Sequence, residues 1–161
     1  MKTFLTALRA LLYGSAFVLL WGWLALNIRS FDENFAVEPP QWTSIIGIML
    51  MSFGGVLALA CVGLFVMRGK GTGAPFEPPR EFVVAGPYRY VRNPMYIGGW
   101  LALIGFGLYE HSLSILLFSL PWLLLVHLFV VFYEEPNLER RFGQSYLNYK
   151  NSVRRWRPRM S

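Results

Sequence analysis

Four apolar runs divide the chain, and polar or charged residues fall almost entirely between them. LRALLYGSAFVLLWGWLALNI covers Leu8–Ile28, and TSIIGIMLMSFGGVLALACVGLFVM covers Thr43–Met67 without a single charge. A shorter run spans Met95–Tyr109, and a fourth spans Ser112–Tyr133. The first, second and fourth match the ~20 residues a helix needs to cross the hydrocarbon core. The third reaches that length only by starting in the interface at Pro94, or by standing with little tilt beside longer neighbours. The pattern predicts an all-α polytopic membrane protein with four transmembrane helices, a loop between the second and third, and a C-terminal amphipathic helix. It reads as one domain, 1–161, with an N-terminal helical hairpin over 1–67 and a second half over 68–161.

Composition agrees: 55% of residues are hydrophobic and 17% aromatic, too apolar for an ordinary soluble domain. The first run is longer than a signal-peptide core and is followed by no small-x-small cleavage site, so it reads as a retained helix. Cys61, the lone cysteine, excludes an intrachain disulfide, and no metal cluster is spelled out. Charge adds an orientation. Lys2 and Arg9 precede the first span, Arg68, Lys70, Arg80, Arg89 and Arg92 lie between the second and third, and seven further cations follow the fourth. Asp32, Glu33 and Glu38 lie in the loop after the first. The positive-inside rule then places both termini in the cytoplasm, as for a bacterial-type inner membrane. The net charge of +6 is accounted for by topology and contact with membrane lipids, with no nucleic acid partner implied.

The segment RGKGTGAPFEPPR, 68–80, is too rich in glycine and proline for a helix and predicts turns. EFVVA, 81–85, follows as an extended piece, and Gly86-Pro87-Tyr88 makes a turn. Asn93 before Pro94 fits an N-cap with proline at the first helical position, leaving a positive dipole end that favours an anionic group. Within the third run Gly98, Gly99, Ala102, Gly105 and Gly107 form a small-residue surface. Packing is the reading for Gly105 and Gly107; Gly98 and Gly99 are open between packing and ligand contact. Pro121 predicts a kink in the fourth run, and His127 inside it is either a proton-handling group or a bond to a neighbouring helix. Beyond it, Leu138, Phe142, Tyr146 and Tyr149 form an apolar stripe over 137–153, interrupted at Gly143. Trp21, Trp23, Trp42 and Trp100 read as interfacial or packing aromatics.

Chemistry gathers on the basic side. Arg89, Arg92, Asn93 and Tyr96 stand at the start of the third run, and Glu134-Glu135 at the end of the fourth. The connection Glu110-His111 is so short that the two runs must form an antiparallel hairpin, with these ends ~10 Å apart. Acids at a helix C-terminus oppose its dipole, so either an arginine or a cationic ligand is expected to compensate them.

GPYRYVRNPMYIGG followed by EEPNLERRFGQSYLNYKNSV resembles the integral-membrane methyltransferases typified by isoprenylcysteine carboxyl methyltransferase, and NPMY with YEEP resembles phosphatidylethanolamine N-methyltransferase. The resemblance covers 79–158 and makes 68–161 the cofactor-binding half. It implies S-adenosylmethionine as methyl donor and a lipophilic or small acceptor (carboxylate, amine or thiol) reaching the site from the bilayer. By position it places cofactor contacts at Arg80, Glu81, Phe82, Val83, Tyr88, Asn93, Pro94, Met95, Tyr96 and Glu134. Arg92, Gly98 and Glu135 join them as neighbours, since a carboxylate could meet the donor's ammonium or ribose and an arginine its carboxylate. Glu134 and His127 are the candidate catalytic residues, His127 as base. Two positions depart from the prenylcysteine enzymes: Asn93 replaces a histidine, and Val130 replaces an arginine that meets the substrate carboxylate, which argues against a prenylcysteine acceptor. Sterol reductases resemble the same half, so an NADPH-dependent lipid reductase is a second reading, and a non-catalytic membrane scaffold a third.

Overall fold

The computed structural model describes residues 2–72 and 80–158. The expected turn-rich piece 73–79 lies outside them. Among the described residues six α-helices follow in order: α1 Lys2–Ile28, α2 Thr43–Leu64, α3 Pro94–Tyr109, α4 Leu113–Phe129, α5 Glu135–Phe142 and α6 Gln144–Ser152. No strand occurs among the described residues. Among the described residues, three helical stretches are long and apolar enough to cross a membrane, Thr3–Asn34, Thr43–Gly69 and Leu113–Phe142. α3, at 16 residues, is ~24 Å long at 1.5 Å per residue, short of the ~30 Å hydrocarbon core.

What positions α3 is its fit against α2. Gly47 and Gly54 on α2 meet Gly105 and Gly98 on α3 in antiparallel register, each pair related to the next by seven residues on both helices. A Cβ built on Gly54 would stand 2.4 Å from the Gly98 carbonyl oxygen, and one on Gly98 2.6 Å from that of Gly54. The same distance, 2.6 Å, separates Gly47 and Gly105 in both directions. Backbones approach this closely only where no side chain intervenes. The other side of α3 turns to α4, where Gly99 faces the Trp122 ring and Gly107 faces Leu116 and Ile115.

α1 joins through Trp21 and Ala25, which pack with Leu103, Ile115 and Trp122. The Trp21 and Trp122 rings meet edge to face at 5.9 Å. Trp21 and Trp100 are thus core aromatics, while Trp23 and Trp42 are exposed. The remaining face of α1, including Leu12, Val18 and Leu19, is exposed, as expected of a lipid-facing surface. At the end away from the basic residues the Glu110-His111 turn is clasped by its neighbours. Arg29 bonds Glu110 at 2.5 Å, Asp32 accepts from the Ser114 amide at 2.8 Å, and His111 bridges Ser44 and the Pro39 carbonyl.

Two helices widen into π turns at the basic end, Phe65–Gly69 after α2 and Val130–Glu134 after α4. The second has a cause in the sequence. Pro136 has no N–H for the carbonyl four residues back and its ring would clash with it, so the preceding turn opens. The helical path nevertheless continues into α5. Glu134-Glu135 therefore do not end a helix as expected; they lie within a continuous helical stretch, and the dipole argument for their compensation does not apply. Gly143, at φ 52°, separates α5 from α6, as its place in the stripe predicts.

Candidate functional site

The basic end is built around the start of α3. Pro94 occupies the first helical position and Asn93 precedes it, but the Asn93 side chain makes no capping bond. That corrects the expected N-cap: Asn93 holds φ −124°, ψ 53°, and its Nδ2 is buried without a hydrogen-bond partner. One turn further, the Tyr96 hydroxyl donates to Glu134 Oε2 at 2.8 Å. α3 and the π turn after α4 thus bring Tyr96 and Glu134 together, as the short hairpin requires. Among the described residues Glu134 has no ion pair.

Glu135 points to a different set of partners. Arg155 grips it with two bonds, Nε at 2.7 Å and Nη2 at 2.9 Å. Arg92 Nη2 lies 3.2 Å from Oε1 and Lys150 Nζ 3.7 Å from Oε2. The Glu135 side chain is 5% exposed and that of Arg92 8%. A carboxylate ringed by three cations in a buried position serves charge compensation, so Glu135 belongs to the scaffold of the site and is less available to a ligand. Hydrogen bonding to Glu135 in turn holds the Arg155 guanidinium still more firmly protonated.

The stripe residues form a cap. Phe82 sits among Phe142, Tyr146 and Tyr149 with ring centroids 5.2, 5.7 and 5.2 Å away. The Tyr149 hydroxyl donates to the Tyr88 carbonyl at 2.6 Å, tying cap to loop. Tyr88 is buried beside Cys61, and its hydroxyl is held well above its ordinary pKa by burial first, then by Cys61 and Glu134. Burial likewise raises Tyr146 and Tyr149, so all three stay neutral phenols.

A strap of 153–157 crosses the mouth. The Arg92 amide donates to the Arg154 carbonyl at 2.9 Å, Arg155 holds Glu135, and Trp156 Nε1 donates to His127 Nδ1 at 3.0 Å. With Nδ1 accepting, the neutral ring carries its proton on Nε2, and its one acceptor nitrogen is engaged. His127 therefore anchors the strap. The candidate base is corrected on that ground, since a base needs a free lone pair.

The other sequence candidates divide. Pro94 and Gly98 are buried, and Gly98 lies in the α2 seam, where backbone contact occupies the side a ligand would need; its candidate role as a cofactor contact gives way to packing. Met95 is partly exposed next to Tyr96. Val83 is buried, and Phe82 lies inside the cap. Arg80 and Glu81 are exposed, with both amides on the Gly69 carbonyl and Glu81 paired to Lys70. A cleft of about 370 Å³ runs along this loop, lined by Met67, Arg68, Lys70 and 81–85. Neither Arg80 nor Glu81 bonds to the Tyr96–Glu134 pair. Sequence reasoning missed Arg155 and Trp156. Their signal, RRWRPR, reads equally as a topology-setting basic tail.

The family profile for phospholipid methyltransferases matches residues 42–145, more than half of the chain. The chain belongs to the phospholipid methyltransferase family. The match begins at α2, further toward the N-terminus than the sequence motifs reach, and takes in the glycine seam, Tyr96 and Glu134. Among curated proteins, phosphatidylethanolamine N-methyltransferase B of Dictyostelium discoideum is 23% identical over 128 residues, 77% of this chain and 64% of that relative. The chain thus spans less than two thirds of the relative's length. No solved structure matches. With its long apolar helices, this family member is an integral membrane protein.

Proposed function

We propose that the protein transfers a methyl group from S-adenosylmethionine to a lipid-like acceptor at the cytoplasmic mouth of the bundle, with both termini on that side. The observation that carries the reading is the Tyr96–Glu134 pair: an acid at the mouth, held by a phenol and left without a cation, while its neighbour Glu135 takes three. S-Adenosylmethionine supplies, when bound, a methyl group on a sulfonium sulfur. The residues present fit such a molecule, since Glu134 offers a carboxylate for an ammonium or ribose hydroxyls and the tyrosine rings suit an onium centre. Tyr96 fixes Oε2 of Glu134 and leaves Oε1 to receive an N–H from a ligand. α3, seated rigidly on α2, aligns the reactants, and in a displacement of this kind alignment provides most of the acceleration.

Family membership favours methyl transfer over the reductase and scaffold readings. The acceptor class best supported is a lipid amine: the relative's name carries an amine acceptor, and Val130, fully buried, cannot pair an anionic substrate. Isothermal calorimetry on the detergent-purified protein tests the assignment. Wild type is expected to bind S-adenosylmethionine and not NADPH, and Glu134→Gln to weaken binding about tenfold to a hundredfold. Folded protein that binds NADPH instead, or neither ligand, overturns the proposal.

A further inference from the structure

The bond that removes His127 as a base leaves its other nitrogen as a committed donor. Trp156 Nε1 donates to Nδ1 at 3.0 Å, so the neutral ring keeps its proton on Nε2. Nε2 has no hydrogen-bond partner among the described residues, and the half-buried ring leaves it reachable from outside. Where lipid replaces water, an N–H of this kind calls for an acceptor carried by a lipid or ligand. Between Trp122 and Tyr133 the chain reads LLLVHLFVVF, and His127 is its only polar side chain. Register sets the depth of that donor. Gly99 faces Trp122, and Gly107 faces Leu116 and Ile115. Five residues back from Gly99 and five on from Trp122, the same antiparallel register sets Pro94 level with His127. Pro94 is the first residue of α3, so His127 lies where that helix leaves the apolar layer.

The strap adds charge at that depth. Arg155 is engaged with Glu135, but Arg154 and Arg157 on either side of the Arg155–Trp156 pair are exposed and form no ion pair among the described residues. We propose that His127 Nε2, with these two arginines beside it, binds the phosphate of a phospholipid acceptor and holds its headgroup at the mouth. A phosphodiester offers two non-bridging oxygens, enough to meet a neutral N–H and a guanidinium together. An ester carbonyl of the same lipid could take the N–H alone; the two arginines favour the charged oxygen. His127 is then a positioning and specificity residue for the acceptor, and the strap that fixes its tautomer is what makes it a donor.

The proposal rests on the methyl-transfer reading above, and the test separates the two. The full chain, in maltoside micelles that bring no phosphate, receives S-adenosylmethionine and one of three acceptors of matched chain length. These are a diacyl phospholipid with a primary amine, its diether counterpart, and an alkylamine without phosphate. Wild type is expected to show a KM for both phospholipids about tenfold below that for the alkylamine. His127→Asn keeps an oxygen where Nδ1 stands, so Trp156 stays held, and removes the Nε2 donor. It should raise KM for both phospholipids about tenfold and leave the alkylamine unchanged. His127→Gln keeps a donor near the Nε2 position and loses the Trp156 bond; it should retain the wild-type phospholipid KM. The reverse order, Gln impaired and Asn normal, is that of a strap anchor alone and overturns the proposal. So does a wild type indifferent to phosphate, or an Asn penalty that disappears with the diether lipid, which assigns the bond to the ester carbonyl. If no amine is methylated the methyl-transfer reading fails, and nitrogen-15 NMR decides this site by itself. The His127 Nε2 signal should shift with either phospholipid and not with the alkylamine; an unmoved signal overturns the site.

Discussion

The glycine seam makes a sharp demand on α2. A methyl group at position 54 would lie 2.4 Å from the Gly98 carbonyl oxygen and 2.9 Å from the Ala102 amide nitrogen, both backbone atoms that cannot swing aside. Reaching even 3.0 Å requires the helices to part by about 0.6 Å, and a gap of that size forfeits a quarter to a half of the dispersion energy along the contact. Gly54→Ala should therefore cost ~1–3 kcal/mol, the usual range for overpacking, against which the better helix propensity of alanine returns at most ~1 kcal/mol. Gly55, one residue on, has nothing within 4 Å of its would-be Cβ, and Gly63 is the same. Gly55→Ala and Gly63→Ala are matched controls expected to be neutral or slightly stabilising. Unfolding of the three variants in mixed micelles, followed by tryptophan fluorescence, reads the difference directly. Gly54→Ala as stable as Gly55→Ala would refute the seam. Because α3 carries Tyr96 on its first turn, Gly54→Ala should also weaken donor binding although it touches no ligand.

Two further outcomes follow from the ion cluster and the strap. Glu135→Gln leaves Arg92 buried without its counter-ion and should destabilise by ~3–5 kcal/mol, whereas Glu139→Gln, on a more exposed acid, should cost ~1 kcal/mol or less; comparable losses in micelle unfolding would contradict the assignment of Glu135 as the buried hub. Trp156→Phe keeps the ring and loses the bond to His127, for about 1 kcal/mol, and nitrogen-15 NMR should find the wild-type His127 ring protonated at Nε2; an Nδ1-protonated ring would exclude the observed bond.

Length and hydrophobicity suffice for the helical class and for α1, α2 and α4, and the glycine itself for the break at position 143. The Glu110-His111 turn sufficed to bring Tyr96 near Glu134. Pairings between distant segments were not legible. Gly47 and Gly54 share a helix with Gly55 and Gly63, and only the position of α3 separates packed glycines from bare ones. Arg155 looked like one of several tail cations because nothing local marks the residue that reaches a carboxylate twenty positions earlier. Asn93 before proline has the composition of a cap, yet its amide is buried and unpaired, and burial is a property of the neighbours. Glu134 and Glu135 looked equivalent because the wide turn between α4 and α5 had not been placed, although Pro136 was there to announce it.

That turn has a consequence for how the chain tolerates change. Two identical acids stand side by side, which in most sequences would offer a spare. Here the backbone sends one toward Tyr96 and the other into a ring of cations, so neither backs up the other. A lesion at Glu134 would be inherited as a loss of function in a well-folded protein, and a lesion at Glu135 as a failure to accumulate. Pro136, which touches no ligand in either reading, is the residue that keeps those two phenotypes apart.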